Sequence, residues 1–127
     1  MMLHLTDLSS EPLHSQISRQ IRAQLLAGEW VEGSPLPSIR GLARDQRISV
    51  ITVQRAYEDL EREGLIHARR GKGFFATSMS GETRAELAED RFRKALDQLL
   101  VEARAEGLTP RNIKDVFTQL LREKEKK

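Results

Sequence analysis

The chain has 127 residues, 39% of them apolar, a formal net charge of +2 and no cysteine. Without cysteine there are no disulfides, thiolate nucleophiles or cysteine-based zinc fingers, and the length holds one full domain with a small second one. A net charge this modest neither requires nor excludes a nucleic-acid partner, since such binding depends on where the cations sit.

Residues 1–11 are expected to form an N-terminal arm. They have no basic start and no apolar run of signal-peptide length. Nothing in the chain approaches the ~20 apolar residues of a bilayer span, so a cytoplasmic protein with no membrane partner is expected. Pro12 opens a helix, as proline suits the first turn. Leu13, Ile17, Ile21, Leu25 and Leu26 fall at helical spacing, and Gly28 ends the helix with a left-handed cap. Glu29 to Pro37 reads as a loop.

Ser38 is a good N-cap for a helix over Ile39 to about Gln46, with Ile39, Leu42 and Ala43 inward. Gly41 in its middle costs roughly 1 kcal/mol against alanine, which close packing of a neighbouring backbone would offset. Ser49 caps the next helix, Val50 to about Glu63, whose inward face is Val53, Ala56, Tyr57 and Leu60; Gly64 stops it. Leu65–Ala68 and Phe74–Thr77 read as two strands joined by a glycine-containing turn.

Ser78 to Thr83 is polar and is assigned as a linker. A helix over about Arg84 to Glu106 follows, carrying Leu87, Phe92, Leu96, Leu99, Leu100 and Ala103. Gly107 ends it, and Thr109-Pro110 starts a last helix with Ile113, Val116, Phe117, Leu120 and Leu121. The fold class is therefore mainly α with a small β-wing. Residues 12–77 make a winged helix-turn-helix, 78–83 a linker and 84–127 a two-helix hairpin.

Two helices give two apolar stripes and no third layer to enclose them. The economical solution is a symmetric homodimer through Leu87, Phe92, Leu96, Leu99, Leu100, Ile113, Val116, Phe117 and Leu120. A monomeric hairpin folded back on the winged helix is the alternative.

A helix-turn-helix reads duplex DNA with the start of its second helix. Here that start is Ser49, Val50, Thr52, Gln54 and Arg55, with Ile51 and the inward Val53 among them. Gln54 suits adenine and Arg55 guanine, or Arg55 clamps a phosphate. Val50 and Ile51 are two β-branched apolar residues at an exposed helix start. Contact with a thymine methyl explains them, and so does packing against the preceding helix. Ser38 and Arg40 offer a helix N-terminus with a cation for phosphate. Arg69, Arg70, Gly71 and Lys72 make a basic wing tip whose glycine permits close approach. Trp30 and Tyr57 read as packing residues, and Glu58, Asp59, Glu61 and Glu63 as a solvated face that repels DNA from the far end of the helix. The three histidines, His4, His14 and His67, have no metal-binding spacing, and no motif calls for a cofactor.

Pro12-Leu13, Gly28, Gly33, Leu36-Pro37-Ser38-Ile39-Arg40, Leu42-Ala43, Ser49, Thr52-Val53, Arg55-Ala56, Leu60-Glu61, Glu63-Gly64-Leu65-Ile66 and Gly71-Lys72-Gly73-Phe74 together resemble the N-terminal domain of GntR-family bacterial transcription regulators. The run Thr52 to Tyr57 and the short helical tail resemble the YtrA subfamily. The resemblance implies a dimeric repressor on an inverted-repeat operator, with DNA contacts by Ser38, Arg40, Thr52, Arg55, Arg70 and Gly71, and it points toward control of transporter operons. Many members carry arginine where this chain has Val50, so that contact does not transfer. The roughly 45 residues after the linker are too few for the enclosed ligand domains of larger subfamilies. An unidentified small-molecule effector at a dimer interface stays open. The competing reading is a winged-helix protein-interaction module without DNA affinity. An enzyme is not expected, because no nucleophile–base arrangement or cofactor motif is present.

Overall fold

The computed structural model describes residues 2–126. Its elements are α1 (Leu13–Leu26), α2 (Ile39–Gln46), α3 (Val50–Arg62), β1 (Ile66–Arg69), β2 (Gly73–Ala76), α4 (Gly81–Ala105) and α5 (Pro110–Glu125). The chain divides into two compact units, one through Glu86 and one from Leu87.

In the first unit α3 is the central element and packs on α1, α2 and β1. Ile17 and Ile21 of α1 meet Val53, Ala56, Tyr57 and Leu60 of α3, all fully buried, and Leu42, Ala43, Leu65 and Ile66 close the core around them. These are the inward residues expected from the helical spacing. Tyr57 also makes an edge contact with Phe74, ring centroids 5.4 Å apart, and its hydroxyl donates to the Pro37 carbonyl at 2.7 Å. The loop before α2 is thereby tied to α3. Burial raises the Tyr57 phenol pKa above its ordinary value, so the hydroxyl stays a donor.

The arm lies along α1 on a ladder of glutamines at successive turns. The Gln16 amide accepts from Thr6 N–H at 3.0 Å and donates to Thr6 O at 2.9 Å and Glu11 O at 2.8 Å. Gln20 accepts from His4 N–H and donates to His4 O, both at 2.8 Å. Gln24 donates to Met2 O at 3.3 Å. Residues 2, 4 and 6 thus turn their backbone groups to side-chain amides as a strand would to a neighbour. Leu3, between them, is buried.

Helices α1, α3 and α4 end on Gly28, Gly64 and Gly107, each at positive φ, with the following N–H bonded back to a carbonyl of the last turn. α2 ends the same way on Arg47, at φ 56°, with Ile48 N–H on Ala43 O at 3.0 Å. The helix ends where the sequence reading placed it, at Gln46, but on a left-handed arginine that was not foreseen, since no glycine stands between the two helices.

β1 and β2 pair antiparallel, Ile66 with Ala76 and Arg69 with Gly73. β1 starts and ends one residue later than expected, and β2 one residue earlier. The loop before α2 adds a rung: Leu36 N–H bonds Phe74 O at 2.9 Å, Ala76 N–H bonds Ser34 O at 2.8 Å, and Pro35 bridges to Phe75. Proline is tolerated there because it sits at an edge.

The linker assigned to 78–83 is shorter than expected. Ser80 Oγ accepts from Thr83 N–H at 3.1 Å, and this cap starts α4 at Gly81. In the second unit Thr109 caps α5, Asn112 returns the bond, and Pro110 takes the first turn. Among the described residues no side chain of α4 or α5 is buried. Phe92 is 55% and Leu99 60% exposed, and Val116, Phe117, Leu120 and Leu121 are exposed too. Leu87 lies nine residues from Leu96, about two and a half turns, so it points away from the row that holds Phe92, Leu96, Leu99 and Leu100.

Candidate nucleic-acid interface

The exposed start of α3 is set by its cap. Ser49 Oγ accepts from Thr52 N–H at 3.1 Å and lies 2.9 Å from Thr52 Oγ1. Both hydroxyls, expected at the DNA surface, are therefore engaged in the first turn. Gln54 Nε2 donates to Glu58 Oε1 at 3.1 Å, so the glutamine expected to read adenine is held along the helix. Arg55 is exposed and makes no ion pair among the described residues. Val50 is 43% and Ile51 69% exposed; Ile51 stands out in solvent instead of packing on α2.

At the start of α2, Ser38 Oγ accepts from Gly41 N–H at 3.0 Å. A Cβ on Gly41 would come 2.8 Å from that hydroxyl. A side chain at this position would therefore make the capping serine shift, and no neighbouring backbone lies within 4 Å of that Cβ, unlike the close backbone expected. Arg40 is exposed beside it.

On the wing, Gly71 has φ 75° within the turn closed by Lys72 N–H on Arg69 O at 2.9 Å, a conformation that resists a side chain. Arg70, Gly71 and Lys72 are exposed at its tip. Arg69 is held back, its guanidinium 4.5 Å over the Phe75 ring, whose other contact is a stacked His67.

Charge sorts along the unit. Ser38 to Tyr57 carries four arginines against one aspartate, whereas Glu58 to Gly64 carries four acids against one arginine. Away from the expected surface three arginines have carboxylates, and Arg84 donates to the Met79 carbonyl at 3.1 Å. Arg19 pairs with Glu11 at 2.8 Å, Arg22 with Glu63 at 2.6 Å, and Arg62 with Asp59. Arg40, Arg47, Arg55, Arg70 and Lys72 have no carboxylate partner among the described residues, and all are exposed. Two acids expected to be solvated do structural work instead. Glu63 takes Arg22 in a two-pronged bond from α1, and Asp59 faces His14 Nδ1 at 3.6 Å as well as Arg62.

Sequence reasoning left Arg47 out. The signal was an arginine, with no glycine nearby, at the point where one capped helix must stop before the next begins. It also left Ile51 undecided. No group of three His, Asp or Glu residues able to hold a metal occurs among the described residues. A cleft in the first unit between Leu25, Trp30, Met79 and Arg84 encloses about 20 Å³, room for about one water.

Comparison with known proteins gives the chain a context. Residues 13–76 match the family model described as bacterial regulatory proteins, gntR family. The chain is 34% identical over 107 residues to the HTH-type transcriptional repressor YtrA of Bacillus subtilis, covering 84% of this chain and 82% of that protein. Among solved structures it is similar to a GntR family transcriptional regulator from Listeria monocytogenes, with a TM-score of 0.71, 27% identity and coverage of 91% and 98%. It is also similar to YtrA from Sulfolobus acidocaldarius, a GntR-family transcription factor, with a TM-score of 0.57, 26% identity and coverage of 95% and 97%. These relatives are transcription regulators, not enzymes.

Proposed function

This chain belongs to the gntR family of bacterial regulatory proteins, and we propose that it represses transcription as a homodimer on an inverted-repeat DNA operator. The observation that carries the DNA reading is the sorting of cations. Elsewhere in the first unit Arg19, Arg22 and Arg62 are matched by acids, Arg69 lies over the Phe75 ring and Arg84 bonds the Met79 carbonyl, while among the described residues Arg40, Arg47, Arg55, Arg70 and Lys72 are left without a carboxylate on α2, the turn, α3 and the wing tip. An arrangement with unmatched cations at helix starts and a ribbon tip suits phosphates on either side of a groove. The acidic end of α3 limits entry to its N-terminal half. Ser38 and Ser49 serve there through their caps, which aim the helix starts, and Arg55 reads a base or clamps a phosphate. Val50, Thr52, Gln54, Arg69 and Gly71 complete the surface.

Dimerisation is supported by the second unit, where Phe92, Leu96, Leu99 and Leu100 of α4 and Ile113, Val116, Phe117 and Leu120 of α5 form apolar rows that the single chain leaves unburied. Rows of this length are normally covered, and a second copy covers both at once. Regulation of a transporter operon is a finer proposal that rests on the likeness to YtrA regulators alone, and a small-molecule effector, if one acts, has the dimer interface as its place.

The test is fluorescence anisotropy with DNA from upstream of the gene, beside scrambled DNA, at several salt concentrations. A preference of ~10³-fold held near physiological salt is expected. Arg55→Ala should cost ~1–3 kcal/mol of operator affinity if Arg55 pairs with a base. Sedimentation of the free protein should give a dimer, and Leu99→Glu a monomer. No binding to any duplex at low salt would refute the DNA reading; a monomeric wild type would refute the dimer.

A further inference from the structure

Ile51 is the most exposed apolar side chain of the α2–α3 pair, at 69%. It stands at the second position of α3, where a β-branched residue gains nothing from helix propensity. The buried side of α3 is defined by Val53, Ala56, Tyr57 and Leu60. At 100° per residue the side opposite them runs through Ile51, Arg55, Glu58 and Arg62. Their neighbours on the helix start are committed elsewhere, Thr52 to the Ser49 hydroxyl and Gln54 to Glu58. Among the described residues, the outward side of the first two turns therefore presents one apolar group and one cation without a carboxylate, Ile51 and Arg55.

We infer that Ile51 reads thymine, by burying its side chain against the C5-methyl group in the major groove. This rests on the reading of α3 as the helix that enters DNA. The thymine methyl is the apolar feature that a major groove offers a side chain, and a duplex supplies no other large apolar surface at that depth. Ile51 and Arg55 are one turn apart, a rise of about 6 Å. With bases stacked about 3.4 Å apart on a strand, the thymine lies within about two steps of the position that Arg55 meets. Each operator half-site thus contains a thymine whose recognition needs its methyl group and no hydrogen bond.

The experiment first selects the preferred duplex from a random pool with the full-length protein. Each deoxythymidine of the half-site is then replaced singly by deoxyuridine, which pairs identically and lacks only the methyl. Affinities are measured for the wild type and for Ile51→Ala, whose fold is checked by its melting temperature. At one position, uracil should weaken wild-type binding roughly fourfold, the equivalent of ~0.8 kcal/mol for one buried methyl. The same replacement should leave Ile51→Ala unchanged. The inference is overturned if the wild type binds its selected duplex yet ignores every uracil, or if Ile51→Ala keeps the sensitivity. A selection that enriches no sequence at all overturns the DNA reading itself, and the inference with it.

Discussion

The glutamine ladder gives a sharp test through Gln16, which is 2% exposed although it is polar. In Gln16→Met the stem and volume stay close to native while both polar ends vanish. Three bonds are lost, two to Thr6 and one to Glu11 O. At about 1 kcal/mol each, net of hydration, the loss is about 3 kcal/mol. A ceiling applies, because the arm can leave α1 and rehydrate its freed groups. The cost then stops at the free energy of docking the arm, which includes burial of Leu3 and the bonds to Gln20. We expect a loss of 2–3 kcal/mol by these estimates, read as a lower urea midpoint by circular dichroism at unchanged slope. A variant lacking residues 1–6 should lose a similar amount, and the combination should fall well short of the sum, since both remove the same docking. Hydrogen exchange at the Thr6 amide should accelerate in Gln16→Met. A loss below about 0.5 kcal/mol, the range of ordinary surface changes, would refute the reasoning, as would full additivity with the truncation.

Arg47 holds a left-handed conformation that costs a non-glycine residue roughly 1–2 kcal/mol, part of which glycine returns through its freedom in the unfolded chain. Arg47→Gly should therefore raise stability by about 0.5–1 kcal/mol in a denaturant titration, and lower the salt dependence of operator binding by about one ion if Arg47 meets a phosphate. Destabilisation would show that the left-handed seat is not strained. The Glu11 carboxyl is held below its ordinary pKa by the hydrogen bond from Arg19. Its contribution is thus present above the ordinary carboxylate range and lost as the pH falls through the depressed value. Glu11→Gln should flatten the acid limb of a stability–pH curve and leave the response above pH ~6 unchanged; an unaltered acid limb would mean that the pair adds nothing measurable.

Local chemistry determined most of the first unit. Ser38 and Ser49 as caps, Gly28 and Gly64 as stops, and the spacing of Ile17, Ile21, Val53, Ala56, Tyr57 and Leu60 all act within one or two turns of chain. The elements and their buried faces could therefore be read in order, and so could the basic tip at Arg70-Gly71-Lys72. The Thr109-Pro110 start of α5 was legible for the same reason.

What tertiary structure decided depends on partners distant in sequence or on small differences in direction. The rung between Ser34–Leu36 and β2 joins segments some forty residues apart, and no local propensity encodes it. Arg69 went to the Phe75 ring, and Asp59 and Glu63 went to α1. Composition alone cannot separate an arginine free for phosphate from one already matched. Gln16, Gln20 and Gln24 look like an ordinary polar face until an extended arm lies against them. Ile51 was ambiguous because an apolar residue at a helix start serves packing or recognition equally well. Only the placement of α2 against α3, set by the buried side of α3, left it in solvent beside Arg55.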